Sequence, residues 1–455
     1  MPDAIEHVIV LMLENRSFDH FFGAVPGVDG VDPHNLRSNF ERPGSTTAYF
    51  QNDDAWPKLD PDPKHETENT LRQIEGETLG PMGGFVYDFA RAEPQRPDAW
   101  PQVMAYFRLG SLPAIHELAQ RFCVCDRWYA SVPGPTWTNR FFAHSGTSQG
   151  RVKMPEGTFD WNLHPYDQTT VYDRLNERGI TWRIYFGDIA QSLLMKHQRR
   201  PGNLRRYSDM SAFWQDVNGS AAEFPQYVFI EPSYFGPEQN DQHPPCDVAR
   251  GDALVADVYN AVRANEALWD STLLIVLWDE HGGFYDHCEP PRAVPPDNHA
   301  EEYSFDRYGV RVPAMLISKW VQQGTFRAQQ GELDHTSILR YLSDKFGLGA
   351  LGARVASAAT FASAITNVPN QNVPDRVGTA GARTMAMAPG EDQKSLSRNQ
   401  AGLLDFSWYL ETEMGAHPAE VGERTLRALV STRSEIEVAK ERVREYIRRN
   451  SGHQP

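Results

Sequence analysis

The sequence predicts an α/β protein: a mostly parallel, doubly wound sheet with helices on both faces, followed by a C-terminal helical extension. Two uninterrupted apolar runs, His7–Leu13 (HVIVLML) and Leu273–Leu277 (LLIVL), have the length and continuity of strands buried on both faces. Further strand-like runs alternate with helical patterns, as βαβ units require. Both runs also stop at hard polar residues, Glu14-Asn15 after the first and Asp279-Glu280-His281 after the second. Open α/β sheets place their ligands at such carboxyl ends of strands.

The elements follow in chain order. After the first strand and a short helix, residues 25–101 are rich in Pro, Asp, Asn and Gly and show little periodicity. They read as a long loop insertion forming part of a pocket. Residues 112–122 predict a helix leading to the segment Cys123–Thr136, and residues 169–179 a helix followed by a strand over Ile180–Phe186. Tyr227–Ile230 reads as a strand, residues 252–267 as a helix, Val312–Ser318 as a strand and Ser337–Phe346 as a helix. Residues 1–367 form the main domain on this reading, 368–400 a Pro-, Gly-, Asn- and Ser-rich linker, and 401–455 one or two amphipathic helices.

At 455 residues the chain can bury a large core, and its net charge of −16 disfavours nucleic acid and adhesion to anionic membranes. No apolar stretch approaches the roughly 18 residues needed to span a bilayer. The first residues, Met1-Pro2-Asp3-Ala4, lack a basic region and an apolar segment. The expectation is a cytoplasmic protein or one exported by a non-classical route, secreted if the chain is processed. Cys123, Cys125, Cys246 and Cys288 show no zinc-ribbon spacing and are expected to be reduced and buried.

Two adjacent carboxylates at a dry strand end, Asp279 and Glu280, cannot both stay ionised without a cation: a metal neutralises them, or a pKa rises. Glu14 and Asn15 offer hard oxygens that suit Mg, Ca or Mn and are also seen with zinc. Taken alone, Glu14 and Asn15 could equally cap the following helix.

Glu14–Gly23 (ENRSFDHFFG) resembles the opening motif of the bacterial phosphoesterase family. That family contains phosphatidylcholine-type phospholipases C and respiratory-burst-inhibiting acid phosphatases, within the alkaline phosphatase-like superfamily. Trp278–Gly283 (WDEHGG) is similar to its second signature. Pro133–Arg140 (PGPTWTNR), with His144–Thr147, resembles its nucleophile segment, and Asp334–Ser337 (DHTS) a further motif. The motifs run in order from residue 5 to about residue 347.

The resemblance implies a metal-dependent phosphoesterase with an alkaline phosphatase-like domain. Thr136 is its nucleophile, and one divalent ion (Zn, Ca, Mg or Mn) is held by Glu14, Asn15, Thr136, Asp279 and Glu280. His65 and His243 are catalytic, lining the phosphate pocket from Pro-rich loops. Asn139 is expected to donate to a phosphoryl oxygen, His281 to stand by the metal carboxylates and the substrate, and Arg140 to support the loop through a buried ion pair. Asp334 either caps the helix after it or supports the site from behind, and no role is assigned to His335. His144, His164 and His287 are expected to be structural.

The expected reaction is phospholipase C-type cleavage of a phospholipid head-group diester through a phospho-threonine. One alternative is an acid phosphatase-type phosphomonoesterase. Another is an inactive binding protein, which the complete set of Glu14, Asn15, Thr136, Asp279 and Glu280 argues against. Choline recognition requires aromatic faces, and Trp56, Tyr87, Trp137, Trp161 and Tyr166 are the candidates for that cage.

Overall fold

The computed structural model describes residues 4–154, 165–379, 396–415 and 433–452. His7–Leu13 (β1), Cys123–Cys125 (β2), Trp182–Phe186 (β3), Tyr207–Asp209 (β4), Tyr227–Glu231 (β5), Thr272–Trp278 (β6), Ala314–Ile317 (β7) and Gly324–Phe326 (β8) form one sheet. Its order is β8-β2-β7-β6-β1-β5-β3-β4. Only β7 runs against the rest, so the sheet is mostly parallel as the sequence predicts.

Every residue of β1 and of β6 is buried, which is why both read as unbroken apolar runs. Their parallel register, from His7↔Thr272 to Leu13↔Trp278, has a direct consequence. Glu14 and Asp279 leave the sheet side by side, and the Asp279 N–H donates to the Leu13 carbonyl at 3.2 Å. The sheet core thus sets the spacing of the two polar strand ends.

The helices that bear on the site are Phe18–Phe22 (α1), Thr67–Glu75 (α2), Phe85–Ala92 (α3), Pro113–Arg121 (α4), Thr136–Ser145 (α5), Val171–Glu177 (α6), Val248–Ala264 (α7), Thr336–Phe346 (α8), Arg398–Glu413 (α9) and Arg433–Asn450 (α10). Residues 25–101 are not the structureless loop expected. They carry α2, α3 and a two-stranded ladder, Ser38–Phe40 with Ala48–Phe50, over a small apolar core in which Ile74, Phe85 and Phe89 meet Phe284, Tyr285 and Val310. Phe85, Val86, Phe89 and Ala90 do carry helical spacing, but the run is only eight residues long and lies between Gly- and Pro-rich stretches.

The C-terminal part also differs from expectation. Residues 368–379 lie against α7, where Tyr259 donates to the Pro374 carbonyl at 2.5 Å and Asn260 to that of Val377 at 3.1 Å. Helix α9 begins inside the stretch read as linker, with Ser397 and Gln400 forming a capping box. Leu403, Phe406 and Leu410 of α9 and Val443 of α10 join the main apolar core, so the extension is packed against the domain. All four cysteines are free and buried. Among the described residues no helix is long and apolar enough to cross a membrane.

Candidate active site

The end of β1 turns sharply. Asn15 has φ 61°, a left-handed conformation that costs most residues but that Asn tolerates. It brings the Asn15 N–H to Asp279 Oδ1 at 3.1 Å, and the Arg16 N–H to the Glu280 carbonyl at 2.9 Å. The glycines after His281 are required by the same turn. Gly282 and Gly283 both have positive φ, and a Cβ on either would collide, with the Asn15 carbonyl at 2.4 Å or with Pro63 Cβ at 2.7 Å.

Thr136 opens α5 after Pro135, and its hydroxyl donates to Asn15 Oδ1 at 3.4 Å. The positive end of a ten-residue helix therefore lies at the predicted nucleophile. Glu14, Asn15, Thr136, Asp279 and Glu280 are all fully buried. The structure gathers these five residues at the two strand ends and the start of α5, although the oxygens of Glu14, Asp279 and Glu280 do not all lie within 4.8 Å of one another.

A guanidinium occupies the middle of this acidic group. Arg140 Nε donates to Asp279 Oδ2 at 2.9 Å, and Nη2 lies 3.4 Å from Glu14 Oε1, which confirms the expected ion pair and names its partners. Burial, partly offset by Arg140, raises the pKa of Glu14 well above the carboxylate range and that of Asp279 to about 7. Burial also pushes Glu280 up, but His65, His281 and the Gly282 N–H bring it below its usual value. Arg140 thus serves Glu14 and Asp279, while Glu280 faces His65 and His281.

The donor set fits a hard cation. Glu280 Oε1 is buried with no hydrogen-bond partner, and Asn15 Oδ1 takes only the Thr136 hydroxyl. Glu14 accepts Gln191 Nε2 at 2.7 Å and Asn399 Nδ2 at 2.9 and 3.1 Å, leaving Oε2 room for one more partner.

The predicted histidines flank these oxygens. His65 Nδ1 donates to the Pro63 carbonyl at 2.8 Å, while its Nε2 lies 3.1 Å from Asn15 Nδ2 and 3.9 Å from Glu280 Oε1. Burial disfavours the His65 cation, yet Glu280 and Asp62 hold its pKa up at about 9. Burial and the neighbouring charges of His65, Arg16 and Lys64 push His243 well below 6.5. His243 Nε2 has no hydrogen-bond partner and stands 3.4 Å from Asp62 Oδ2. Asp62, His65 and His243 offer ligand atoms within 4.8 Å of one another.

Several expected roles are redrawn. The Asn139 side chain is spent on its own turn, accepting the Val132 N–H at 3.1 Å and donating to the carbonyls of Val132, Gly134 and Pro135, so it holds the nucleophile loop instead of a phosphoryl oxygen. Trp137 is 2 % exposed and its indole N–H donates to Asn399 Oδ1 at 2.5 Å, facing away from any cage for a head group. His281 is buried between Gln73 Oε1, at 2.7 Å, and Glu280 Oε2, at 3.3 Å, so both ring nitrogens are engaged and one of them props a carboxylate.

The other cage candidates do not converge either. Tyr166 is buried against Phe141, Trp56 packs on the core of the 25–101 segment, and Tyr87 bonds Arg91 on the surface; Trp161, like His164, falls outside the described residues. Asp334 does not cap α8: it accepts the Thr336 hydroxyl at 2.5 Å and pairs with Arg354 at 3.5 Å. His335 Nε2 donates to the Asp279 carbonyl at 2.6 Å, and burial lowers its pKa to about 4, so it is a neutral prop behind a metal ligand. His144 bonds Tyr172 at 3.0 Å in the core.

Reading the sequence missed three contributors. Asp62 lies in a motif singled out for its histidine. Arg16 joins the Gln242 carbonyl at 2.5 Å to the face of Phe284. Asn399 lies far along the chain in a polar stretch with no motif.

The model of the Phosphoesterase family matches residues 5–349. The chain belongs to that family. It is therefore a hydrolase of phosphoric esters. It is 34% identical over 450 residues to non-specific phospholipase C6 of Arabidopsis thaliana, covering 92% of this chain and 84% of that one. It is 28% identical to the hemolytic phospholipase C of Pseudomonas aeruginosa, over 76% of this chain and 53% of that longer protein. The family thus extends to plants as well as bacteria. Among solved structures, the phosphonate monoester hydrolase of Agrobacterium radiobacter is similar at 11% identity and a TM-score of 0.36, with 80% of this chain and 77% of that one covered.

Proposed function

We propose that this phosphoesterase is a phospholipase C-type phosphodiesterase that cleaves a phospholipid head-group ester through a phospho-Thr136 intermediate. One observation carries the reading: the Thr136 hydroxyl sits at a helix N-terminus, bonded to Asn15, among buried carboxylates and beside two histidines. The names of the relatives, phospholipases C from plant and bacteria, favour a diester.

Glu14, Asn15, Thr136, Asp279 and Glu280 would hold one divalent cation, whose chemistry is to lower the pKa of the Thr136 hydroxyl and to balance phosphoryl charge. Thr136 Oγ1 attacks phosphorus, and the bond from phosphorus to the glycerol oxygen breaks. The N–H groups of Thr136 and Thr138, in the first turn of α5, would face the anionic oxygens. Cationic His65 supplies the proton that the departing alkoxide takes up and regains one from the water that then frees Thr136, while neutral His243 takes the Thr136 hydroxyl proton and returns it in that second step. Arg140, paired with Asp279, keeps the carboxylates apart and in place.

Thr136→Ala should leave less than about a tenth of wild-type kcat with an unchanged melting temperature, and Thr136→Ser should remain active. An acid-quenched reaction should yield a peptide phosphorylated on Thr136; its absence during steady turnover refutes the covalent route. A second reading, phosphomonoester hydrolysis, is favoured by the closed site, where Asp62 and His65 are the most exposed members. Rates on phosphatidylcholine, a soluble phosphocholine diester and a phosphomonoester separate the two.

A further inference from the structure

Helix α9 ends in the active site. Asn399, in its first turn and 3 % exposed, places its amide between Trp137 and Glu14. Nδ2 donates to Glu14 Oε1 at 2.9 Å and Oε2 at 3.1 Å, while Oδ1 accepts the Trp137 indole N–H at 2.5 Å. An indole N–H can only donate and a carboxylate can only accept. The residue between them must accept on one side and donate on the other, which fixes both the choice of an amide and its orientation. Aspartate would set a second negative charge against Glu14, and leucine would leave the indole N–H and a buried carboxylate short of partners.

The helix is built to hold that amide still. Gly402, one turn further on, packs directly on the Trp137 ring; a Cβ there would lie 2.8 Å from two ring carbons. Gln400 Nε2 donates to the Tyr234 carbonyl at 2.6 Å, and the Tyr234 ring lies 5.7 Å from the Arg140 guanidinium. At the far end, Glu413 accepts from Arg199 at 3.2 Å and from Tyr446 of α10 at 2.6 Å. Nothing in this arrangement needs Asn399 for the packing of α9 itself. Its bonds go to Glu14 and to the residue after the nucleophile.

We infer that Asn399 is a positioning residue for Glu14, and that the C-terminal helical extension is part of the metal site. By holding both Glu14 oxygens, with Gln191 on Oε1, it leaves one direction on Oε2 for a cation. Cation binding and docking of α9 then reinforce each other. This rests on Glu14 being a metal ligand.

The test is calorimetric titration of metal-stripped full-length protein with Mn2+, Ca2+ or Zn2+ alone, alongside the melting temperature with and without each ion. Asn399→Leu should weaken binding by about 10- to 100-fold, the usual effect of losing a hydrogen bond that orients a metal ligand, and should shrink the rise in melting temperature on adding the ion. Trp137→Phe, which removes the bond that orients the amide together with the ring edge under Gly402, should weaken binding in the same direction but less. It serves also if Asn399→Leu does not fold. Glu14→Gln is the reference. If Glu14→Gln loses affinity while Asn399→Leu, or the folded Trp137→Phe, binds as wild type, the positioning role is wrong and the metal site stands. If Glu14→Gln itself binds as wild type, the metal site is misassigned and the inference falls with it.

Discussion

Gly283→Ala should slow turnover far more than it destabilises the fold. Gly283 has φ +74°, and an added Cβ would lie 2.7 Å from Pro63 Cβ. Two costs follow. Holding alanine in the left-handed region costs about 1 kcal/mol. Carbon atoms in contact rest about 3.5–4.0 Å apart, so Pro63 must withdraw by roughly 1 Å. Pro63 follows Asp62 in the chain, and its carbonyl holds His65 Nδ1 at 2.8 Å, so the displacement passes to both site residues. A shift of about 1 Å in a catalytic group can cost about a hundredfold in rate. Gly110→Ala is the control: Gly110 has φ +90° with nothing within 4 Å of its virtual Cβ, so it carries the backbone cost alone. Both variants should lose a few degrees in melting temperature, and only Gly283→Ala should lose kcat. If its kcat stayed within about threefold of the control, under 1 kcal/mol of barrier, the 62–65 loop would not be holding groups that act in the reaction.

Other outcomes follow from the same geometry. Glu280→Gln should weaken binding of Mn2+ or Ca2+ to stripped protein in calorimetry, because Oε1 is the open buried oxygen of the site; undiminished affinity would move the cation elsewhere. Trp137→Phe should slow hydrolysis of choline and non-choline diesters by the same factor, since the indole faces Asn399; a choline-selective rise in KM would restore the aromatic cage. His287 is held up to about 11, against its burial, by hydrogen bonds to Asp19 and Cys288 and the charges of Asp19 and Asp286. Its stabilising charge is complete below pH 6.5 and is lost as the pH rises toward 11, so His287→Gln should flatten the alkaline fall in melting temperature. A variant whose stability fell with pH as steeply as wild type would refute that assignment.

What the sequence made legible was whatever one strand and its end contain. β1 and β6 are buried on both faces, so their apolar runs were continuous, and the polar residues that end them could be read as a site. Thr136 was found because the nucleophile turn is a local motif. Roles that depend on which way a side chain turns were not legible. Asn139 and Trp137 lie beside the nucleophile in sequence, yet α5 points one back into its turn and the other into the interface with α9. Adjacency along a helix N-terminus says little about direction, because successive residues there differ by about 100° around the axis.

Asn399 marks the opposite failure. It is 385 residues from Glu14 in the chain and sits among Arg398, Gln400 and other residues typical of any exposed first turn. The periodic signal of α9 comes from Leu403, Phe406 and Leu410, which record packing on the core and say nothing of the polar end. Only the docked position of the helix gives that asparagine a carboxylate on one side and an indole on the other. The apolar stripe of the extension therefore does chemical service at one remove: by fixing where α9 lies, it fixes the donors around Glu14. A substitution such as Phe406→Ala, remote from every reacting atom, should then loosen cation binding in proportion to how far it frees the helix end.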